Sequence, residues 1–130
     1  LLEVYIDGAS AGDLGPSGAG IYIKGPNLQE TYKIPLGSMN NHEAEFQALV
    51  KALEICFEKG YKSVSFRTDS QAVERAVEKR FAKKEPYASL LQSALHYIDQ
   101  LDLFFIKWIP AKENQKADQL AKEAIRLNGK

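Results

Sequence analysis

Hydrophobic and polar residues alternate from the start of the chain. Leu2, Val4 and Ile6 fall on one side and Leu1, Glu3, Tyr5 and Asp7 on the other, which is the period of a strand with two unlike faces. Gly8 is expected to end that strand. Residues 7–20, with five glycines and a proline, read as a turn-rich connection into a second strand at 21–24. Gly25-Pro26-Asn27 turns the chain into a third strand at 30–36, and short turns between successive strands imply an antiparallel meander. The period then lengthens to that of a helix at 43–59, which Gly60 stops. A fourth strand is expected at 64–69, a helix capped by Ser70 at 71–80, another at 87–101, a fifth strand at 103–109 and a closing helix at 115–127. Helices separate the later strands, so these should run parallel to the first. The expectation is one α/β domain over residues 1–130, its mixed five-stranded sheet made of three antiparallel strands followed by two parallel ones.

Composition narrows the class. With 130 residues, 45% of them hydrophobic, and 17 Lys+Arg against 17 Asp+Glu, the chain has the makeup of a globular domain large enough for one core. The single cysteine, Cys56, supports neither a disulfide framework nor a zinc site, so a reducing cytoplasmic setting and a monomer are expected. No apolar run approaches the roughly 20 residues of a membrane helix, and the first residues lack a secretion signal, so no membrane partner is expected. The one methionine is Met39, which places the natural start upstream of Leu1 as an expectation. Zero net charge argues against a generic polyanion binder. The charge is unevenly spread, however, at −3 over residues 1–65 and +3 over residues 66–130.

Four carboxylates stand out. Asp7 and Asp69 close the first and fourth strands, and parallel neighbours would bring those ends to one edge of the sheet, where open α/β sheets hold their sites. Singly, Asp7 before Gly8 also reads as a turn residue, and Asp69-Ser70 as a helix cap. Glu45 falls in the apolar stripe of its helix with Leu49, Ala52 and Cys56, whereas Glu43 falls on the solvated face with Gln47 and Lys51. A carboxylate in a buried stripe needs a partner or a metal. Asp118 lies at the edge of the stripe formed by Ala117, Leu120, Ala121 and Ala124. Convergence of the four requires something to cancel their repulsion. Oxygen-only donors favour Mg²⁺ or Mn²⁺ over zinc, and two such ions can activate water and stabilise a leaving oxygen in phosphodiester hydrolysis. With only His42 and His96 available, and neither in a facial-triad spacing, an oxygenase is not expected.

In these segments the chain resembles the single-domain ribonuclease H family. The resemblance is carried by Tyr5-Ile-Asp-Gly-Ala-Ser10, Gly15-Pro-Ser-Gly-Ala-Gly20, Asn41-His-Glu-Ala-Glu45, Thr68-Asp-Ser70, and Glu113-Asn114 followed by Ala117-Asp-Gln-Leu-Ala121. It implies a two-metal enzyme that cuts the RNA strand of RNA/DNA hybrids, leaving 3′-hydroxyl and 5′-phosphate ends. Asp7, Glu45, Asp69 and Asp118 would be its catalytic metal ligands, with Mg²⁺ or Mn²⁺ as two ions per site. Asp7 would bridge both ions, Glu45 and Asp69 would hold the one nearer the leaving oxygen, and Asp118 the one carrying the attacking water. Contacts to RNA 2′-hydroxyls would fall on Ala9, Ser10, Gly12, Asn41 and His42. His42 stands where the family usually has Asn or Gln, and Asp13-Leu14 replaces a common Asn-Pro. Two departures bear on activity. The loop Pro110-Ala-Lys-Glu-Asn114 lacks the histidine that better-known members carry, which implies slower turnover. The basic protrusion that grips the DNA strand is also missing. Lys79, Arg80, Lys83 and Lys84 around Phe81 are expected to take its place, Trp108 is expected in the core, and His96 is expected to be structural. A non-catalytic binding domain and another phosphodiesterase on the same fold are the competing readings.

Overall fold

The computed structural model describes residues 1–129. Three strands come first: β1 (Leu2–Ser10), β2 (Gly15–Gly25) and β3 (Leu28–Met39). Then follow α1 (Asn41–Lys59), β4 (Ser63–Thr68), α2 (Gln71–Lys79), α3 (Tyr87–Ile98), β5 (Leu103–Trp108) and α4 (Gln115–Ile125). The strands form one sheet in the order β3-β2-β1-β4-β5. β1 pairs antiparallel with β2, and β2 with β3. β4 runs parallel to both β1 and β5. The expected mixed sheet is therefore present.

Strand parity separates the two faces of β1. Val4 and Ile6 are buried with Ile21, Ile23, Val64 and Phe66 in a core that continues through Leu49, Leu53 and Cys56 of α1 to Leu91 of α3. Asp7 and its cross-strand partner Gly20 face the other way, toward α4. Helices cover the sheet closely because the strands carry glycine beneath them. A Cβ on Gly8 would strike the Ala44 carbonyl of α1, and one on Gly20 would strike the Ala117 carbonyl and lie 2.8 Å from the Leu120 Cβ of α4. This corrects two expectations. Gly8 does not end β1, which runs on to Ser10, and the glycine-rich stretch is mostly strand, with β2 beginning at Gly15. These glycines serve the close approach of helix to sheet.

The helix ends position the site. Asn40 caps α1, its Oδ1 accepting from the Glu43 N–H at 2.8 Å, so the helix begins two residues before its expected start. Gly60 ends α1 in the left-handed region, with φ of 73°. Ser70 caps α2, its Oγ accepting from the Val73 N–H at 3.2 Å. No helix among the described residues is long and apolar enough to cross a membrane.

Candidate active site

The parallel β1–β4 ladder ends at the pair Ile6–Thr68, so Asp7 and Asp69 lie side by side one step beyond it. The N-terminal turns of α1 and α4 bring Glu45 and Asp118 to the same edge, and the structure draws all four carboxylates together around Asp7. Asp7 is only 9% exposed. Burial, reinforced by the charge of Asp69, by Asp118 within hydrogen-bonding reach and by Glu45, pushes its carboxyl up to about 8. Burial also raises Asp69 and Glu45. In Glu45 the Ser70 hydroxyl and His42 oppose that rise; in Asp69 the Asn114 amide does so.

Each carboxylate has its own partners. The Ser70 hydroxyl donates to Glu45 Oε1 at 3.2 Å, and His42 Nδ1 lies 3.5 Å from the same oxygen. Asn114 Nδ2 donates to Asp69 Oδ2 at 3.1 Å and to the Ile6 carbonyl at 2.9 Å. The Asp69 carbonyl accepts from Trp108 Nε1 at 3.1 Å. Lys122 Nζ lies 3.0 Å from Asp118 Oδ2, one helical turn on, and the pair raises the lysine's proton affinity. Ser70, Asn114 and Lys122 were not singled out from sequence for this site. Ser70 reads there as a helix cap alone, although its place directly after Asp69 was a usable signal. Asn114 and Lys122 are each one helical turn from Asp118.

Oxygen donors of this kind would suit a hard divalent cation, whose charge would let Asp7 ionise at neutral pH beside its acidic neighbours. Among the described residues, no three acidic, histidine or cysteine side chains stand close enough together, as they lie, to hold an ion. The four carboxylates form an open ring linked through Asp7.

Beside this ring lies a shallow depression lined by Ser10, Gly12, Asn41 and His42 together with Asp13 and Asn40. Ala9 does not line it; this residue pairs with Gly18 in the sheet. The Ser10 hydroxyl is committed to the Gly12 and Met39 carbonyls, so it shapes the loop. His42 also borders a longer open groove between α1, α2 and the start of α3, with Phe46, Phe81 and Tyr87 among its apolar lining and Lys79, Lys83 and Lys84 along it. Arg75, which was not expected, joins them.

Three expectations are corrected here. Arg80 turns away from the groove because it ends α2 in the left-handed region, with φ of 56°, and its Nη2 binds both Asp99 carboxylate oxygens, at 3.0 and 2.8 Å. Trp108 is 41% exposed although it shares a face of β5 with buried Ile106, because it is the last residue of this edge strand, and its ring N–H bonds the Asp69 carbonyl. His96 is exposed in the last turn of α3, packed edge-on against Tyr97, and holds no core position.

The family model described as reverse transcriptase-like matches residues 6–124. RNase H1 from the halophilic archaeon Halobacterium salinarum superposes with a TM-score of 0.89 at 29% identity, over 96% of this chain and 97% of that one. The chain belongs to the ribonuclease H family. It is a hydrolase by that membership. Of the similar curated proteins, "Putative hydrolase EbsB" of Enterococcus faecalis is 35% identical over 97% of this chain and 95% of its own length. LC11-RNase H1, solved in complex with an RNA/DNA hybrid, superposes with a TM-score of 0.84 at 27% identity, over 98% of each chain.

Proposed function

We propose that this ribonuclease H-family chain is a metal-dependent endoribonuclease that hydrolyses the RNA strand of RNA/DNA hybrids and leaves 3′-hydroxyl and 5′-phosphate ends. The observation that carries this reading is the convergence of Glu45, Asp69 and Asp118 on a buried Asp7 whose carboxyl is pushed to about 8. Asp7, Glu45, Asp69 and Asp118 would hold two Mg²⁺ or Mn²⁺ ions. Bound there, such ions supply an acidified water and charge stabilisation of the leaving oxygen. The chain's own residues do the rest. Ser70 and His42 aim the Glu45 carboxylate, and Trp108 fixes the backbone that carries Asp69. The depression at Gly12, Asn41 and His42 takes the RNA strand, and the groove with Phe81, Arg75, Lys79, Lys83 and Lys84 takes the DNA strand. The relative solved with a hybrid supports that substrate class.

The test is incubation of the purified protein with an end-labelled hybrid and Mg²⁺ or Mn²⁺. Cleavage confined to the RNA strand, and lost in Asp69→Asn, is the expected result. Hybrid binding without cutting at high Mn²⁺ would favour a non-catalytic domain, and preference for branched DNA in a substrate panel would favour another phosphodiesterase.

A further inference from the structure

Asn114 occupies the N-cap of α4, where an asparagine ordinarily turns its Oδ1 onto the free N–H groups of the first helical turn. Here it makes no side-chain cap bond. The residue is 1% exposed, and its Oδ1 is buried without a hydrogen-bond partner. Its Nδ2 is fully used, one hydrogen going to the Ile6 carbonyl at 2.9 Å and the other to Asp69 Oδ2 at 3.1 Å. The amide orientation is unambiguous, because a flip would set its oxygen against two acceptors. A buried, unpaired Oδ1 is unfavourable, and the geometry that leaves it so is the one that puts the amine end across the strand pair.

The two acceptors belong to neighbouring strands. Ile6 precedes Asp7 on β1, Asp69 follows β4, and the ladder between those strands ends at Ile6–Thr68. The Asn114 amine therefore spans the point where backbone pairing stops and the two central carboxylates begin. Together with the Trp108 bond to the Asp69 carbonyl, it leaves Asp69 restrained at both its carboxylate and its backbone.

We propose that Asn114 is a positioning residue, whose amide locks the Asp69 carboxylate against the end of β1 so that Asp69 and Asp7 are preset to share divalent cations. The inference rests on the metal-dependent reading above. It makes Asn114 act through Asp69, with no contact to substrate required. Side chains that orient a metal ligand are worth about 10- to 100-fold in metal affinity or activity, and the same range is expected here.

The experiment compares the parent protein with Asn114→Ala and Asn114→Ser. Serine is a good N-cap that is too short to reach Asp69, so it removes the strut while supporting α4. Three quantities are measured: Mn²⁺ affinity, from the electron paramagnetic resonance signal of the free ion; kcat and KM for a labelled hybrid; and urea unfolding in EDTA. The expected result is that Asn114→Ser unfolds close to the parent yet binds Mn²⁺ about tenfold or more weakly, with the loss of cleavage in kcat and KM for the hybrid nearly unchanged. Should Asn114→Ala fail to fold, the serine variant carries the same comparison. Parent-like Mn²⁺ affinity and kcat in Asn114→Ser would overturn the proposal and leave Asn114 a structural residue. If the parent binds Mn²⁺ without cutting hybrid, the catalytic reading fails, and a weakened Mn²⁺ affinity in the serine variant still supports the positioning role. A parent that does not bind Mn²⁺ overturns both.

Discussion

In the metal-free protein, Asp7 takes up a proton on folding over a wide range of pH. Its carboxyl titrates at about 8 in the folded chain against an ordinary value of 3.8. A raised folded value contributes stability that is complete below the unfolded value and is lost as pH climbs through the folded one. Glu45 and Asp69 are raised as well and add in the same direction. In EDTA, the thermal midpoint should therefore fall between about pH 5.5 and about pH 8.5, and Asp7→Asn should flatten that fall and raise the midpoint at the higher pH. Mg²⁺ should recover more of the midpoint at high pH than at low pH. A scanning fluorimetry series checks all three; an unchanged midpoint in Asp7→Asn at high pH would show that this carboxylate is not buried as described. At this scale the sequence was informative about Glu45, an acid in an apolar stripe, whereas Asp7, Asp69 and Asp118 each have an ordinary reading as a turn, cap or helix-start residue and stand out only in combination. It said little about Asn114, whose role depends on which strand ends its amide meets across 108 residues of sequence to Ile6.

The elements hold the site through contacts that need the absence of a side chain. Gly20 lies beneath α4, the helix that carries Asp118, and any Cβ there meets the helix backbone at Ala117. Backbone cannot rotate out of the way as a side chain can. Gly20→Ala should lower unfolding free energy by about 1–3 kcal/mol in urea melts and reduce cleavage more than a surface change of equal cost would, because α4 is displaced. The same glycines explain where the fold was misread. A run containing Gly8, Gly12, Gly15, Gly18 and Gly20 has the composition of a loop, yet only residues 11–14 are outside strand. Local propensity reports what a segment does alone, whereas here helix packing on both faces decides. The alternating segments and the amphipathic helices were legible, since their periodicity already encodes which side is covered. Trp108 was placed in the core from its residue type and strand setting alone. Nothing local reveals that β5 is the edge strand and that Trp108 is its last residue, past the part that the core covers.

Across the whole molecule, neutrality conceals a division of labour. Two divalent ions would offset the four carboxylates and leave a formal +4 on a chain whose own sum is zero. Much of that excess lies on the groove side, at Arg75, Lys79, Lys83 and Lys84. Hybrid affinity should therefore weaken with salt, and replacing each groove cation with alanine should reduce the slope of log affinity against log salt by about 0.7–0.9. Arg80→Ala should leave the slope unchanged, because its guanidinium is already paired with Asp99. Fluorescence anisotropy of a labelled hybrid across a salt series separates the two cases. The chain contains a single tryptophan, and that residue is half open to water and one hydrogen bond from Asp69. All of the protein's indole emission thus originates beside the carboxylate ring, so cation arrival and departure can be timed by stopped-flow on the unlabelled molecule, with no second fluorophore of that kind to dilute the signal.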